Sequence, residues 1–413
     1  MLRVGIPEHR LPREVLDREI EVITNLGVEI KTNTPLGPDL TVEGLLADGY
    51  KAVYLALGAH KGIEMGIPGE KTQGVRQGVD FLREVNLTGK ADVGRNVVII
   101  GGGNVAIDVA RTAVRSGADA VEMLCLESRE EMPALEEEIE EALSEDILIG
   151  NSWGPRRILA ENGRVTGVEF RRCVSVFDED GRFSPVYDDE ELMTVEADAV
   201  IVSVGQAMAW GDLLAGSRVE LRPNGTVVAD PETFQTGESD IFVGGDALTG
   251  PKFAIDAIAV GKEGAVSIHR FVQPGQSLVL GRTKRDYRPL DKENLDLAGF
   301  DRLPRQRSAR VGGEDSKRTF DDLRGLFTEE QIRKETERCL GCGATVSDPF
   351  LCVGCGACTL KCRFDAISLE RKYDAEGLEL FDIRPTVMKH AVKRKLKITM
   401  NRPVKALKSA FGG

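Results

Sequence analysis

The pattern of apolar and polar positions is most informative over residues 96–115. Residues 97–100 form a wholly apolar, β-branched run, which is typical of a strand buried on both faces of a parallel sheet. Three glycines follow this run. Apolar residues then recur at the spacing of a helix that buries one side, at Val105, Ile107, Val109, Ala110, Ala113 and Val114. The pattern therefore predicts a strand, a glycine turn and a helix in direct succession.

This strand–turn–helix unit predicts a site for the pyrophosphate of a dinucleotide. Gly101 permits the tight turn, Gly103 lets the backbone approach the phosphates, and the helix N-terminus faces the anion with its free N–H groups. Ala106 stands at the third glycine position, where helix and strand pack closely. A glycine-rich turn in another α/β fold is the alternative, since the glycine pattern alone is a weak signal. The candidate cofactor-binding residues here are Gly101, Gly102, Gly103, Asn104 and Val105.

Other parts of the chain show weaker periodicity. An amphipathic helix is predicted from Pro12 to a closing Gly27, and short strands are predicted over 28–31 and 50–59. Apolar and polar positions alternate over 158–205 around two hairpin signals, which predicts a β-meander. The acid-rich run 136–141 is expected to be a solvated helix face.

Length and charge limit the class of protein. A chain of 413 residues predicts two or three domains, and it contains no signal peptide and no apolar run of 18 residues. We therefore expect a soluble, cytoplasmic protein. From Arg384 to the end there are nine Lys or Arg and no acid, which leaves 45 basic and 67 acidic residues, a net charge of −22, on the preceding part. This balance argues against a nucleic-acid-binding body.

The cysteines supply the second strong signal. The run from Cys352 to Cys362 has the spacing of bacterial ferredoxins, in which three close thiolates bind three irons of a cubane and the fourth usually ligates another cluster. Gly354 and Gly356 let the backbone wrap the cluster, and Ile367 begins a predicted return strand, although Arg363 replaces the usual proline. The candidate metal ligands are Cys339, Cys342, Cys352, Cys355, Cys358 and Cys362. They allow one or two [4Fe–4S] clusters, and a zinc site is the alternative.

Several blocks in register resemble the small (beta) subunit of NADPH-dependent glutamate synthase and related FAD- and NAD(P)-dependent iron–sulfur oxidoreductases. The resemblance covers roughly residues 3 to 272. Its blocks are GIPEHRLPREVLDREI, LALGA, GGGNVAIDVARTAVRSGA, SREEMPA and GGDALTGPKFAIDAIAVGKEGA.

This resemblance implies an α/β flavoprotein fold of two nested dinucleotide-binding domains, with a small α+β ferredoxin-like 4Fe-4S module after it. The implied domains are a partial, discontinuous FAD-binding domain at 1–91 and 231–275, an NAD(P)-binding domain at 92–230, a linker at 276–330, the ferredoxin-like iron–sulfur domain at 331–372 and a basic tail at 373–413.

For FAD, the resemblance implies a site at the second half of its domain. Asp246, after Gly245, is expected near the ribityl phosphate, and the helix beginning near Ala254 is expected to face the flavin. Gly205 is a further candidate cofactor-binding residue, without assignment to one of the two nucleotides. The family's own FAD fingerprint precedes the segment at which this chain starts. The FAD half is therefore expected to be truncated, so that this chain alone holds FAD poorly. Either a longer natural chain or a separate partner is expected to complete it.

The choice between NAD(H) and NADP(H) depends on the end of the strand 120–127. An acid there binds a free ribose hydroxyl, whereas arginines bind the 2′-phosphate. Relatives that use NADPH carry paired arginines, but this chain has Leu126 and Glu127. Arg129 is still able to serve a phosphate. We expect NAD(H).

Together these features predict an electron-transfer subunit that passes electrons from NAD(P)H through flavin and iron–sulfur clusters to other redox subunits or ferredoxin. The alternative is a non-catalytic iron–sulfur relay without its own flavin. Cys125 and Cys173 are far apart in sequence, which argues against disulfide reduction, and no catalytic side chain is predicted. The basic tail is expected either to be disordered or to contact an acidic partner or an anionic membrane, and membrane contact is not favoured.

Overall fold

The protein is described by a computed structural model, which covers residues 1–37, 39–282, 291, 294, 303–309, 313–339, 352–361, 367–370 and 380–410. It divides into two compact units, residues 1–338 and 339–413. The helices of the described residues are α1 (Arg13–Thr24), α2 (Val42–Ala47), α3 (Gly78–Thr88), α4 (Asn104–Arg115), α5 (Glu136–Ser144), α6 (Asp246–Thr249), α7 (Ala254–Phe271), α8 (Glu329–Glu337), α9 (Ala357–Lys361) and α10 (Leu380–Ala410).

The strands of the described residues all lie in the first unit. They are β1 (Val53–Leu55), β2 (Lys61–Gly62), β3 (Val75–Gln77), β4 (Asn96–Ile100), β5 (Ala120–Leu124), β6 (Leu148–Gly150), β7 (Trp153–Glu161), β8 (Arg164–Phe177), β9 (Phe183–Glu196), β10 (Ala199–Val202), β11 (Gln206–Ala207) and β12 (Ile241–Val243). Five of them form a parallel sheet in the order β3-β10-β4-β5-β6, and β7, β8 and β9 form the predicted meander.

The strand β4 is buried on both faces, as the sequence predicts. Val97 and Ile99 pack with the helices α3, α4 and α5 in one core. Val98 and Ile100 point to the other face, where they pack against Val168 and its neighbours in the meander. Because successive side chains of a strand point to opposite faces, one short apolar run serves two cores.

A second, two-stranded sheet lies elsewhere in this unit. Its strands β1 and β12 are parallel, with Val53 opposite Ile241, and a small core forms around Leu55, Val227 and Val243. The helix α1 runs close to the predicted bounds. The strand expected over 28–31 is wrong: these residues have no regular structure, and Val28 is exposed. An isolated short segment has no pairing partner and no buried face to stabilise it.

Part of the expected linker lies against the core between the five-stranded sheet and its helices. We call residues 313–324 the strap; it starts with a 3₁₀ helix over Gly313–Arg318. Phe320 of the strap packs against the helix-side core, and Lys317 forms an ion pair with Asp146. The strap is therefore folded onto the first unit.

The acid-rich run on α5 is not simply a solvated face. Glu137 and Glu140 bind Arg305 and Arg307 of the linker at 2.9 and 3.0 Å. Glu138, on another side of the helix, is only 9% exposed. The prediction of a solvated face is therefore wrong at Glu138, which is buried and bound by the distant Arg10, and it is confirmed at Glu137, which is exposed.

In the second unit the described residues contain α9 and α10. The return strand expected around Ile367 is not present, because residues 367–370 have irregular backbone. No described helix combines the length and the apolar character that crossing a bilayer requires.

Candidate functional site

The glycine turn after β4 has no room for side chains at two positions. Gly101 has a φ of +140°, and a Cβ on it would lie 2.5 Å from the carbonyl oxygen of Ser203. A Cβ on Gly102 would lie 2.9 Å from both the Cβ of Cys125 and Oε2 of Glu127. The turn therefore lies close to the ends of β10 and β5, and only glycine fits there.

The helix α4 begins at Asn104, directly after this turn. The Asn104 side chain accepts a hydrogen bond from the backbone N–H of Leu135 at 2.8 Å, and Ala134 N–H donates to the carbonyl oxygen of Gly102 at 3.2 Å. Both bonds attach the loop before α5 to the turn. These bonds fix the position of the turn and of the first residues of α4. The free N–H groups at the start of α4 can then bind a phosphate.

Glu127 lies beside the glycine turn, as its predicted role requires. Its backbone carbonyl accepts hydrogen bonds from Ser152 N–H at 2.9 Å and from Asn151 Nδ2 at 3.2 Å. These bonds fix the loop after β5, with the carboxylate next to Gly102. Arg129 points elsewhere and pairs with Glu136 at 2.5 Å.

A cavity of about 670 Å³ lies between the start of α4 and the turn at Gly245. Asn104 and Val105 line it from α4. Gly245 lines it from the turn after β12, and Asp246 and Ala254 line it from the first residues of α6 and α7. The structure therefore brings five of the predicted cofactor-binding residues to one cleft. Gly205, also predicted, lies directly before the lining residue Gln206 and has a φ of +140°.

The side of this cleft expected to hold flavin is built around a glycine turn. Gly245 has a φ of +60°, and the Asp246 carboxylate accepts a hydrogen bond from Lys252 N–H at 3.3 Å. The helix α7 then begins at Ala254 and runs for 18 residues. Its first N–H groups and positive dipole end can face the cavity.

Arg10 and Asp108 form an ion pair on the cavity wall that the sequence pattern did not predict. Arg10 donates a hydrogen bond to Oδ2 of Asp108 at 2.7 Å and a second one to Glu138 at 2.5 Å. Burial raises the pKa of Asp108 to about 6, although Arg10 opposes this shift. A charged residue inside the apolar pattern of α4 was the available signal, but its partner lies 98 residues earlier.

A second buried network lies behind α4. Glu145 accepts hydrogen bonds from Arg111 at 2.7 Å and from Arg115 at 2.5 Å. Burial alone would raise the pKa of Glu145, but the bonds from Arg115 and Arg111 lower it. His9 lies near these arginines, and burial together with their charge lowers its pKa to about 2. This neutral imidazole is therefore not a proton donor at physiological pH.

The two cysteines of the first unit are not a reactive pair. Cys125 and Cys173 are both buried with free thiols, and burial raises the pKa of Cys125 to about 12. A thiol with such a pKa stays protonated and unreactive. The prediction that both are ordinary buried cysteines is confirmed.

In the second unit, three predicted ligands lie close in sequence on one exposed loop and helix. Cys352, Cys355 and Cys358 have exposed free thiols at the start of α9. Gly354 and Gly356 have φ of +64° and +74°, a backbone geometry that lets the chain wrap a cluster. Cys339 is exposed, and Cys342 and Cys362 lie outside the described residues. Thiolates are the ligands that an iron–sulfur cluster requires, so the chemistry of this donor set fits a cluster. The described residues do not, however, bring three of these donors together into one metal-binding group.

The fold and these sites define a class: an oxidoreductase with two dinucleotide-binding halves and an iron–sulfur module. Residues 14–261 match the family of pyridine nucleotide-disulphide oxidoreductases, and residues 345–368 match the 4Fe-4S binding domain. The chain belongs to the pyridine nucleotide-disulphide oxidoreductase family. Members of this family bind FAD and NAD(P)H.

Similar proteins are subunits of redox complexes. The chain is 35% identical to the NADP(+)-dependent formate dehydrogenase subunit beta of Moorella thermoacetica, over 83% of this chain and 49% of that protein. It is 32% identical to the NADPH-Fe(3+) oxidoreductase subunit beta of Geobacter sulfurreducens, over 83% and 55%. It is 33% identical to the glutamate synthase [NADPH] small chain of Escherichia coli, over 66% and 61%. The chain thus spans about half the length of the first two relatives.

A solved structure confirms the fold. Mycobacterium tuberculosis FprA in complex with NADPH superposes with a TM-score of 0.55, over 65% of this chain and 74% of that one. The two sequences are 18% identical, so this likeness concerns the fold alone.

Proposed function

We propose that the chain is an electron-transfer subunit that takes electrons from a nicotinamide dinucleotide and delivers them, through flavin and an iron–sulfur cluster, to a partner redox protein. The observation that carries the proposal is the shared cavity. Asn104, the first residue of α4, and Asp246, the first residue of α6, both line it. When bound, a flavin accepts a hydride and releases electrons one at a time, as a cluster requires.

The residues of this chain have separate tasks in that proposal. The turn at Gly101 and the first N–H groups of α4 bind the pyrophosphate of the nicotinamide dinucleotide. Asp246 and the N-terminus of α7 at Ala254 bind and orient the flavin. Cys352, Cys355 and Cys358, with further thiolates from the other predicted ligands, hold the cluster.

The preferred dinucleotide in this proposal is NAD(H). The Glu127 carboxylate stands beside the glycine turn, where it accepts hydrogen bonds from a free ribose 2′-OH and repels a 2′-phosphate. Arg129, which would favour the phosphate, is already paired with Glu136. Three of the relatives named above carry NADP(+) or NADPH in their names, so this preference distinguishes the chain from them.

The partner is another redox subunit or a ferredoxin, and a glutamate synthase-like large subunit is one candidate. The relatives' names as subunits support this proposal. No side chain is assigned as an acid or base, because hydride transfer to flavin depends on the geometry of the two rings.

The experiment is reduction of an artificial one-electron acceptor by the purified 413-residue chain. The chain is reconstituted with iron, sulfide and a large excess of FAD, because this chain alone is expected to hold FAD poorly. We expect NADH-dependent reduction, with bleaching of the flavin and cluster absorbance under anaerobic conditions. Protein that binds the cluster but never flavin, and shows no NADH oxidation, would contradict the proposal and support a relay without its own flavin.

A further inference from the structure

The long helix α10 carries apolar side chains that nothing in the described residues covers. Phe381, Met388, Val392 and Leu396 are 89%, 64%, 54% and 57% exposed. Their spacings of seven, four and four residues place them on the same side of an α-helix. A continuous exposed apolar stripe of this kind indicates a binding surface.

Basic residues border this stripe on both sides. By helical spacing, Lys389 and Lys393 lie along one border, and Arg384 and Lys395 lie along the other. All four are exposed. The aliphatic part of each side chain can follow the apolar surface while its charge stays at the level of solvent or phosphate.

After Asp382 in its first turn, the charged side chains of the helix are all positive. Nine Lys or Arg and no acid follow Asp382, whereas the part of the chain before Arg384 has a net charge of −22. An anionic surface would therefore attract this helix and repel the rest of the protein. No acidic side chain after Asp382 is available to fix one register on a protein partner, whereas a fluid lipid surface requires none.

The sequence alone does not favour membrane contact by this tail, but the exposed apolar stripe with its basic borders does. We infer that α10 binds the surface of an anionic phospholipid bilayer. Its apolar stripe enters the boundary between headgroups and acyl chains, and its cations contact lipid phosphates. The helix has 31 residues and is about 46 Å long. Because its described residues include no apolar stretch that could cross a bilayer and basic residues lie beside its apolar stripe, it lies along the plane of the bilayer. This surface is independent of the nucleotide cleft and adds a location to the proposed electron transfer.

The test is flotation of the full-length protein with vesicles. Vesicles of phosphatidylcholine alone are compared with vesicles that also contain phosphatidylglycerol, at low and at high salt. We expect binding to the anionic vesicles at low salt, at least about tenfold stronger than to the neutral ones, and a loss of binding at high salt. An absence of binding to anionic vesicles at low salt would overturn the inference.

Two double variants separate the parts of the surface. Lys393→Glu with Lys395→Glu, and Met388→Ser with Leu396→Ser, should each weaken binding at least about tenfold. The control is Lys31→Glu with Lys51→Glu, which makes the same charge change on exposed residues of the first unit and should leave binding unchanged. Equal loss in the control, or full binding by the serine variant, would contradict insertion of the stripe. Far-ultraviolet circular dichroism verifies that each variant is folded.

Discussion

Arg115 donates a hydrogen bond from Nε to the carbonyl oxygen of Thr319 at 2.9 Å, across 204 residues of sequence. The same guanidinium binds Glu145, and the side chain of Arg115 is completely buried. Arg115, the last residue of α4, thus binds both the strap and Glu145 at the C-terminal end of α5. This contact and the packing of Phe320 attach the strap to the helix side of the five-stranded sheet.

Replacement of Arg115 should therefore destabilise the first unit. Arg115→Met keeps the volume but leaves Glu145 with part of its buried charge uncompensated, which typically lowers the free energy of unfolding by about 3–5 kcal/mol. Urea denaturation followed by circular dichroism measures it. Arg95→Met, which removes an exposed arginine from an ion pair with Asp119, is the control and should have no measurable effect. Equal stability of the two variants would show that the buried network contributes nothing.

A methyl group on Gly102 should block the dinucleotide site. The added Cβ would lie 2.9 Å from atoms of Cys125 and Glu127, so the turn must shift by a few tenths of an ångström. Overpacking of this kind costs about 1–3 kcal/mol, and we expect Gly102→Ala to bind NADH about tenfold to a hundredfold more weakly in fluorescence titration. Gly261→Ala is the control, because no atom lies within 4 Å of its added Cβ. Unchanged NADH affinity in Gly102→Ala would refute the assigned site.

Glu127 should determine the choice of nucleotide. Glu127→Arg replaces an acceptor for the ribose hydroxyl by a donor for the 2′-phosphate, which should move the ratio of kcat/KM for NADH over NADPH toward NADPH by about 1–3 kcal/mol. Steady-state kinetics with both nucleotides measures this ratio. Glu130→Arg, the same change at an exposed position on the same loop, should leave it nearly unchanged. A wild-type protein that uses NADPH as well as NADH would rule out the role of Glu127.

Asp108 should make the stability of the first unit depend on pH. Its pKa is raised from 3.8 to about 6 in the folded protein, so the folded state binds more protons than the unfolded one between these values. The contribution of Asp108 to the free energy of unfolding is up to roughly 3 kcal/mol. It is fully present below about pH 4 and is lost as the pH rises through 6. The free energy of unfolding of wild type minus that of Asp108→Asn should therefore fall between pH 5 and 7.5. A constant difference, or a rising one, contradicts the raised pKa.

Cys355 should be essential for the cluster. It lies between the other two described ligands of the ferredoxin-like run, so Cys355→Ala should reduce bound iron and acid-labile sulfide and abolish the broad visible absorbance of thiolate-ligated iron. Cys173→Ala removes a buried cysteine of the first unit and should retain all three signals. Stoichiometric zinc without labile sulfide in the wild type would indicate the alternative metal site.

Local patterns predicted the elements that form through short-range contacts. The β4–Gly101–α4 unit, the helix α1 and the meander over β7, β8 and β9 lie close to where the sequence places them. Periodicity suffices there because each element buries a face that its own residues define. The strand at 28–31 failed because its apolar residues have no partner strand among the described residues.

Long-range ion pairs were the part that sequence reasoning missed. Nothing near Asp108 in sequence indicates that Arg10 binds it, and nothing near Glu137 indicates Arg305. A charged side chain can pair with any of the many opposite charges in the chain, so only the folded backbone selects the partner. The sequence therefore predicted positions that depend on backbone geometry, such as the glycine turn at Gly101, and missed contacts between side chains that are far apart in sequence.

The alternation along β4 has a consequence for how this protein can change. Each residue from Val97 to Ile100 is assigned to the helix core or to the meander core by its odd or even position. Inserting or deleting one residue there would exchange the two sets and also displace Gly101 from its turn. The loop at 178–182 connects β8 and β9 beyond their last paired residues, Phe177 and Phe183. A change in its length does not alter which face the strand residues point to. We therefore expect changes of length to be tolerated at the hairpin tip and to prevent correct folding at β4, the strand before the glycine turn.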